Sequence, residues 1–168
     1  MIGTTIGAIL DGECVGLDPS HRLYVVRDGA TVFYVGQSKR GAVNRVLEHL
    51  GRGQFPHLDL LGLVVKANLP GALNWVVEFA KPRYKTVVAP IDDKAWATLS
   101  PVVRFSGTRE GFEFYSDLDT DRTEKELIQE LKPCLNVTHN KDRQPLPDCY
   151  HGIGVDLSVT VSDFVPFT

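Results

Sequence analysis

Two runs of β-branched and aromatic residues meet at a glycine turn, and this constrains the fold more than any other feature of the sequence. His21-Arg22-Leu23-Tyr24-Val25-Val26 leads into Asp28-Gly29, and Thr31-Val32-Phe33-Tyr34-Val35-Gly36 follows. Such runs favour the half-buried pleat of a strand, and an Asp-Gly pair supplies the positive φ that a tight hairpin needs. A hairpin this apolar needs a cover. The next segment supplies it, because Val43, Val46, Leu47 and Leu50 fall at helical spacing before a stop at Gly51.

Further elements follow in mixed order. Pro56 opens a predicted second helix over about 57–67, and Asn74–Ala80 reads as a third strand. Pro82, Pro90 and Pro101 break up 81–116, where Lys85–Val88 and Val102–Phe105 read as short strands and Asp92–Leu99 as a helical turn or two. Thr123-Glu124-Lys125-Glu126 ahead of Leu127-Ile128 fits a capping box, predicting a helix from about Glu124 to Leu131 that ends near Pro133. Residues 1–20 read as loop or a short edge strand, and 137–168 as loop-rich with a strand-like run at Val155–Val161. The expectation is one α/β (α+β) domain over 1–168, a small, mainly antiparallel sheet flanked by helices. The length of 168 residues suits one domain of about 100–200 residues.

Composition excludes several classes. With 43% apolar and 23% charged residues the chain is not disordered, collagen-like or a coiled coil. No apolar run approaches the ~18 residues of a membrane helix, so no membrane partner is expected. Cys14, Cys134 and Cys149 are odd in number and lack paired metal spacing, and no basic leader opens the chain, so a reducing cytoplasm is the default. The net charge of −3 means that any phosphate-binding surface is local. Asp117, Asp119 and Asp121 do not make a calcium loop, because Arg122 stands where that loop needs glycine; an acidic helix entry is the better reading. Trp75 and Trp96 read as core or partly buried surface rather than as base-stacking platforms.

One ordered constellation carries chemistry. Tyr24 and Tyr34 lie one on each strand of the hairpin. Arg45 and His49, four apart, project from one face of the next helix. Glu124 comes much later, and Lys132-Pro133-Cys134-Leu135-Asn136 closes its helix. Taken singly, each has a plain structural reading: strand aromatics, a solvated helix face, a helix-entry acid, a turn residue. Their joint order resembles the GIY-YIG nuclease family. The resemblance is carried by Leu23-Tyr24, by Tyr34-Val35-Gly36-Gln37-Ser38-Lys39, by Asn44 to Leu50 and by Glu124 to Asn136. It covers about 22–80 and 117–137, leaving 81–116 as an insertion and 138–168 as a C-terminal extension. The first motif, Arg22-Leu23-Tyr24, lacks the family's usual glycine, residue 41 looks inserted, and Gln37 stands where many relatives carry lysine.

The resemblance implies a metal-dependent endonuclease hydrolysing DNA phosphodiesters, of restriction, mobile-element or repair type. Tyr24 would act as base or water-positioning group, its phenol lowered by nearby cations from an ordinary pKa of ~10. Arg45 would grip the scissile phosphate, and Glu124 would hold one divalent cation, magnesium or manganese. His49 would bond near Tyr24 or the phosphate, Tyr34 would orient the phosphate or its partner tyrosine, and Asn136 would fix the backbone around the Glu124 helix. Gln37, Lys39, Arg40 and the run Lys81, Arg83 and Lys85, joined by Arg104 and Arg109, are candidate contacts to double-stranded DNA, with a homodimer or a partner protein adding affinity. The alternative is a nucleic-acid-binding module of the same fold without catalysis.

Overall fold

The computed structural model describes residues 1–13, 16–52, 59–98 and 111–152. In chain order the elements are β1 (Ile2–Thr5), α1 (Ile6–Leu10), β2 (Leu23–Asp28), β3 (Thr31–Gln37), α2 (Ala42–His49), α3 (Leu60–Ala67), a 3-10 turn (Gly71–Asn74), β4 (Val76–Ala80), β5 (Thr86–Val88), α4 (Asp93–Thr98), β6 (Phe112–Phe114) and α5 (Asp117–Leu131). The expected strand at Val102–Phe105, the run Val155–Val161, the start of the second helix at Pro56, and Arg104, Arg109 and Cys14 lie outside the described residues.

The mixed architecture is the expected one. Four strands form an antiparallel sheet in the order β1-β4-β2-β3, flanked by helices. The hairpin forms as read, with Asp28 opposite Thr31 and Gly29 at φ 53°. One irregularity matters. The β2–β3 register shifts between Val26 and Arg27, which pair with Tyr34 and Val32, so Phe33 is the extra residue of a bulge. The bulge brings Phe33 into the same cluster as its neighbour Tyr34. There the Phe33 ring, fully buried, stacks on Trp75 at 3.9 Å between centroids. Burying side chains of this size stabilises the fold by roughly 1.5–3 kcal/mol each. Trp75 is therefore core, as the sequence suggested.

The sheet has two covered faces. The larger cluster joins Tyr24, Val26, Phe33, Val77 and Phe79 to residues of α1, α2 and α3; the smaller packs Val25 and Val35 against Ile128 of α5. Beyond β3 the chain returns along the sheet edge, where Cys134 and Leu135 donate backbone N–H bonds to the Val32 and Phe33 carbonyls. That edge is thereby closed to a further strand.

Two sequence expectations need correction. The late helix starts at Asp117, about two turns before Glu124. The capping box that forms is Ser116 with Asp119, each side chain bonding the other's backbone N–H. Thr123, the expected cap, is mid-helix and gives its hydroxyl to the Asp119 carbonyl. A serine ahead of three acids spaced along the first turns outcompetes a threonine whose own upstream residues are already helical. The reading of Asp117, Asp119 and Asp121 as a helix entry agrees with this. In residues 1–20 the short edge strand is the reading that holds, since β1 pairs with β4 at the sheet edge; α1, capped by Thr5, follows it.

Residues 83–86 pack along α5. Arg83 N–H donates to Thr123 Oγ1, Tyr84 Oη to the Glu126 carboxylate, and Thr86 Oγ1 to Asp119 Oδ2. The Arg122 guanidinium lies 3.8 Å over the Tyr84 ring. Strands β5 and β6 make a separate two-stranded sheet.

Candidate active site

The hairpin, α2 and α5 bring five of the six predicted catalytic residues to one region, and the sixth stands behind them. Tyr24 on β2 sits opposite Gly36 on β3. Tyr34 is two residues from Gly36 on the same strand, so both phenols lie on one face of the sheet. Their rings stack at 6.1 Å between centroids. Gly36 makes this possible. A Cβ there would fall 2.4 Å from both Tyr24 Cζ and Oη, and 2.8 Å from Tyr34 Cε1. The glycine is required by the close passage of an aromatic ring, not by an unusual φ.

Helix α2 carries Arg45 and His49, and the two do not share a solvated face. His49 is fully buried, because it follows Ala42 and Val46 on the stripe that packs on the core. Its Nε2 is 2.6 Å from Tyr24 Oη. The Tyr34 ring meets the imidazole edge-on at 5.1 Å. Arg45 is partly exposed and bonds Glu48 Oε2 at 3.0 Å, while its charge reaches both phenols. The other ring nitrogen of His49, Nδ1, contacts Asp59 Oδ2. Asp59 was not among the expected site residues. Its signal was an aspartate directly ahead of the apolar run Leu60-Leu61, the position of a helix N-cap, which it does occupy.

The electrostatics of the phenols differ from the expectation. Burial pushes Tyr24 well above the ordinary tyrosine value, and the neighbouring Tyr34, Asp59 and Glu124 push the same way; Arg45 offsets only part of this. Tyr34, also raised mainly by burial, stands at about 12. A cation-stabilised phenolate is therefore not the resting state of Tyr24. Burial favours the neutral phenol, and an imidazole nitrogen stands within hydrogen-bond distance of it.

Glu124 faces β3 from α5. Gln37 Nε2 donates to Glu124 Oε2 at 3.0 Å and to Asp121 Oδ1 at 2.6 Å. Gln37 thus gathers two carboxylates in the place where it was expected to meet DNA. Burial raises the Glu124 carboxyl and the Asp121 charge adds to this, against the lowering effect of the Gln37 bond. Among the described residues no cluster of three His, Cys, Asp or Glu side chains is placed to hold a metal. The residues nonetheless fit one hard cation. Glu124 is a half-buried carboxylate whose hydrogen-bond partner is the neutral amide of Gln37; that amide turns its N–H₂ to Glu124 and Asp121, and its Oε1 is buried with no hydrogen-bond partner. A carboxylate and an orphaned amide oxygen are the ligand types that magnesium and manganese take.

Asn136 supports the site from behind. It accepts from the Val35 N–H and donates to the Val35 carbonyl, both at 2.8 Å, pinning the residue between Tyr34 and Gly36. It therefore fixes β3 to the end of the Glu124 helix. The remaining candidates do not join the cluster. Lys39 pairs with Asp117, and Arg40 lies 4.0 Å from Glu48, both on the exposed turn before α2. Lys81 is paired with Asp18, Arg83 with Glu130 and Lys85 with Glu113, each held by a carboxylate of this chain.

The chain matches no protein-family model, no curated protein and no solved structure. Among the described residues no helix is long and apolar enough to cross a membrane.

Proposed function

We propose that this chain is an endonuclease of the GIY-YIG type, hydrolysing DNA phosphodiesters with a divalent cation. The observation that carries the reading is the Tyr24–His49 contact at 2.6 Å, inside a cluster that also holds Tyr34, Arg45 and Glu124. Hydrolysis needs a deprotonated water, and this pair can take the proton. Water gives its proton to Tyr24 Oη as Tyr24 gives its own to His49 Nε2, and the resulting hydroxide attacks phosphorus as the bond to the 3′ oxygen breaks. Arg45 has the planar fork that suits phosphate oxygens. Glu124 would hold the cation, which when bound would stabilise charge on the phosphoryl group and the leaving oxygen.

One observation favours a second distribution of roles. Tyr24 is only 1% exposed, whereas Tyr34 is half-buried and its ring covers the Tyr24–His49 pair. In that distribution Tyr34 meets the water or the phosphate, and Tyr24 stays beneath it as the inner link to His49.

The test is supercoiled plasmid incubated with purified protein, with and without magnesium, beside the Glu124→Gln variant. The expected result is magnesium-dependent nicking or linearisation that the variant lacks. Gel-shift binding of DNA without cleavage in any divalent metal supports the inactive binding module instead. Full activity in Glu124→Gln overturns the metal assignment.

A further inference from the structure

We propose that Asp59, which lies outside every motif that carries the resemblance, is the positioning residue of this site: it holds the proton on His49 Nδ1, so that Nε2 is the bare nitrogen facing the Tyr24 hydroxyl. The inference deepens the nuclease reading and rests on it for its catalytic consequence.

The geometry divides the labour of one carboxylate between two tasks. Asp59 Oδ1 caps α3, accepting from the Leu61 N–H at 3.1 Å and the Gly62 N–H at 3.3 Å. Oδ2 turns the other way, onto Nδ1 of a histidine whose side chain is 1% exposed. Capping alone needs one oxygen, and a serine would supply it. The second oxygen has a different consequence. An ionised carboxylate only accepts hydrogen bonds, so Nδ1 must carry a proton. In the neutral imidazole Nε2 is then an acceptor, and the phenol 2.6 Å away donates to it. The two backbone N–H bonds fix the carboxylate in its rotamer, so the imidazole is oriented by the start of a helix. Asp59, His49 and Tyr24 thus form a carboxylate–imidazole–phenol chain.

The proton balance is closed. As His49 takes the Tyr24 proton at Nε2 it becomes a cation with both nitrogens protonated, and the Asp59 charge stabilises it without taking a proton itself. After the phosphodiester breaks, the departing 3′ oxygen takes up a proton from solvent to become a hydroxyl, Nε2 returns its proton to Tyr24, and Tyr24 releases to solvent the one it took from water. In a serine protease the analogous carboxylate does the same for its histidine, and changing it to an amide leaves the wrong tautomer and costs about 10⁴-fold in rate.

The experiment uses the full chain with histidine labelled in the ring nitrogens and Asp59→Asn as the variant. Asparagine still caps a helix, while its amide N–H₂ faces His49 if its oxygen keeps the cap. Long-range ¹H–¹⁵N spectra, with His49 assigned through His49→Gln, read the tautomer directly. The expected wild-type signal is the Nδ1–H form, moving toward Nε2–H in Asp59→Asn. A wild-type Nε2–H form, or no change in the variant, overturns the inference whatever the protein cleaves. Kinetics provide the second arm. Asp59→Asn is expected to lower kcat by ~10²-fold or more with KM held, but to add less than about threefold when Tyr24 is already phenylalanine. Asp59→Ser, which keeps the cap and is too short to reach the ring, is expected to match Asp59→Asn. Losses that multiply independently in the Tyr24→Phe background would mean that Asp59 only ties α2 to α3. A wild-type protein that cleaves no DNA removes the nuclease reading, and the tautomer then decides the inference alone.

Discussion

Two hydroxyl groups of similar chemistry sit in this site in different surroundings. Tyr24 is buried, with its Oη bonded to His49; Tyr34 is partly buried above it. Removing one oxygen from each separates their roles. If Tyr24 passes the proton, Tyr24→Phe is expected to lower kcat by ~10²–10⁴-fold and Tyr34→Phe by much less. The reverse order assigns the water to Tyr34. Single-turnover cleavage, with the thermal midpoint recorded for each variant, distinguishes the two.

At the scale of elements, β3 is held in place from both sides. Gly36 lets the Tyr24 ring pass, and Asn136 satisfies both polar groups of Val35. Gly36→Ala is expected to displace the phenol and abolish cleavage, because Tyr24 and Tyr34 are both packed against the space a methyl would take. Asn136→Ala strands a buried N–H and a buried C=O, and is expected to cost about 2 kcal/mol or more, read as a drop in the urea midpoint. A cost below about 0.5 kcal/mol would mean that water replaces the amide. Much of this arrangement was legible beforehand. The hairpin and α2 follow from local pattern and spacing, and the grouping of Tyr24, Tyr34, Arg45, His49 and Glu124 from the resemblance that their order carries. Three things did not. Asp59 looks like an ordinary cap, because its second oxygen acts on a residue of another helix. Burial reverses the expected direction of the Tyr24 shift, and burial belongs to the packed molecule. Ser116 outcompetes Thr123 as cap, a choice between two similar local signals.

For the molecule as a whole, pH and salt report on the buried phenols and on the basic run. As pH rises past about 10, an unfolded chain loses its tyrosine protons first, while Tyr34 holds its own to about 12 and Tyr24 is raised as well. The unfolded state then binds fewer protons than the folded one, so stability falls as the solution becomes alkaline. Urea midpoints are expected to decline between about pH 10 and pH 12, less steeply in Tyr34→Phe. An equal slope in that variant would place the alkaline loss elsewhere. Salt gives a second test. Lys81, Arg83 and Lys85 are matched to Asp18, Glu130 and Glu113, so replacing all three by alanine is expected to leave the salt dependence of DNA binding unchanged. A slope lower by up to ~1 per residue would show that these side chains exchange their carboxylates for phosphates.

Helix α5 presents Asp121 and Glu124 to the hairpin, and Asp119, Thr123, Glu126 and Glu130 to the inserted segment. The segment that follows β4 is consequently not a detachable cassette. Transplanting it into another scaffold would require the matching stripe of helix to travel with it, and exchanging it here for a foreign loop would leave that stripe unpartnered one residue from Glu124. A change in this segment is thus expected to call for a matching change along a single helix, and a library that diversifies the two together should retain more folded members than one that diversifies the loop alone.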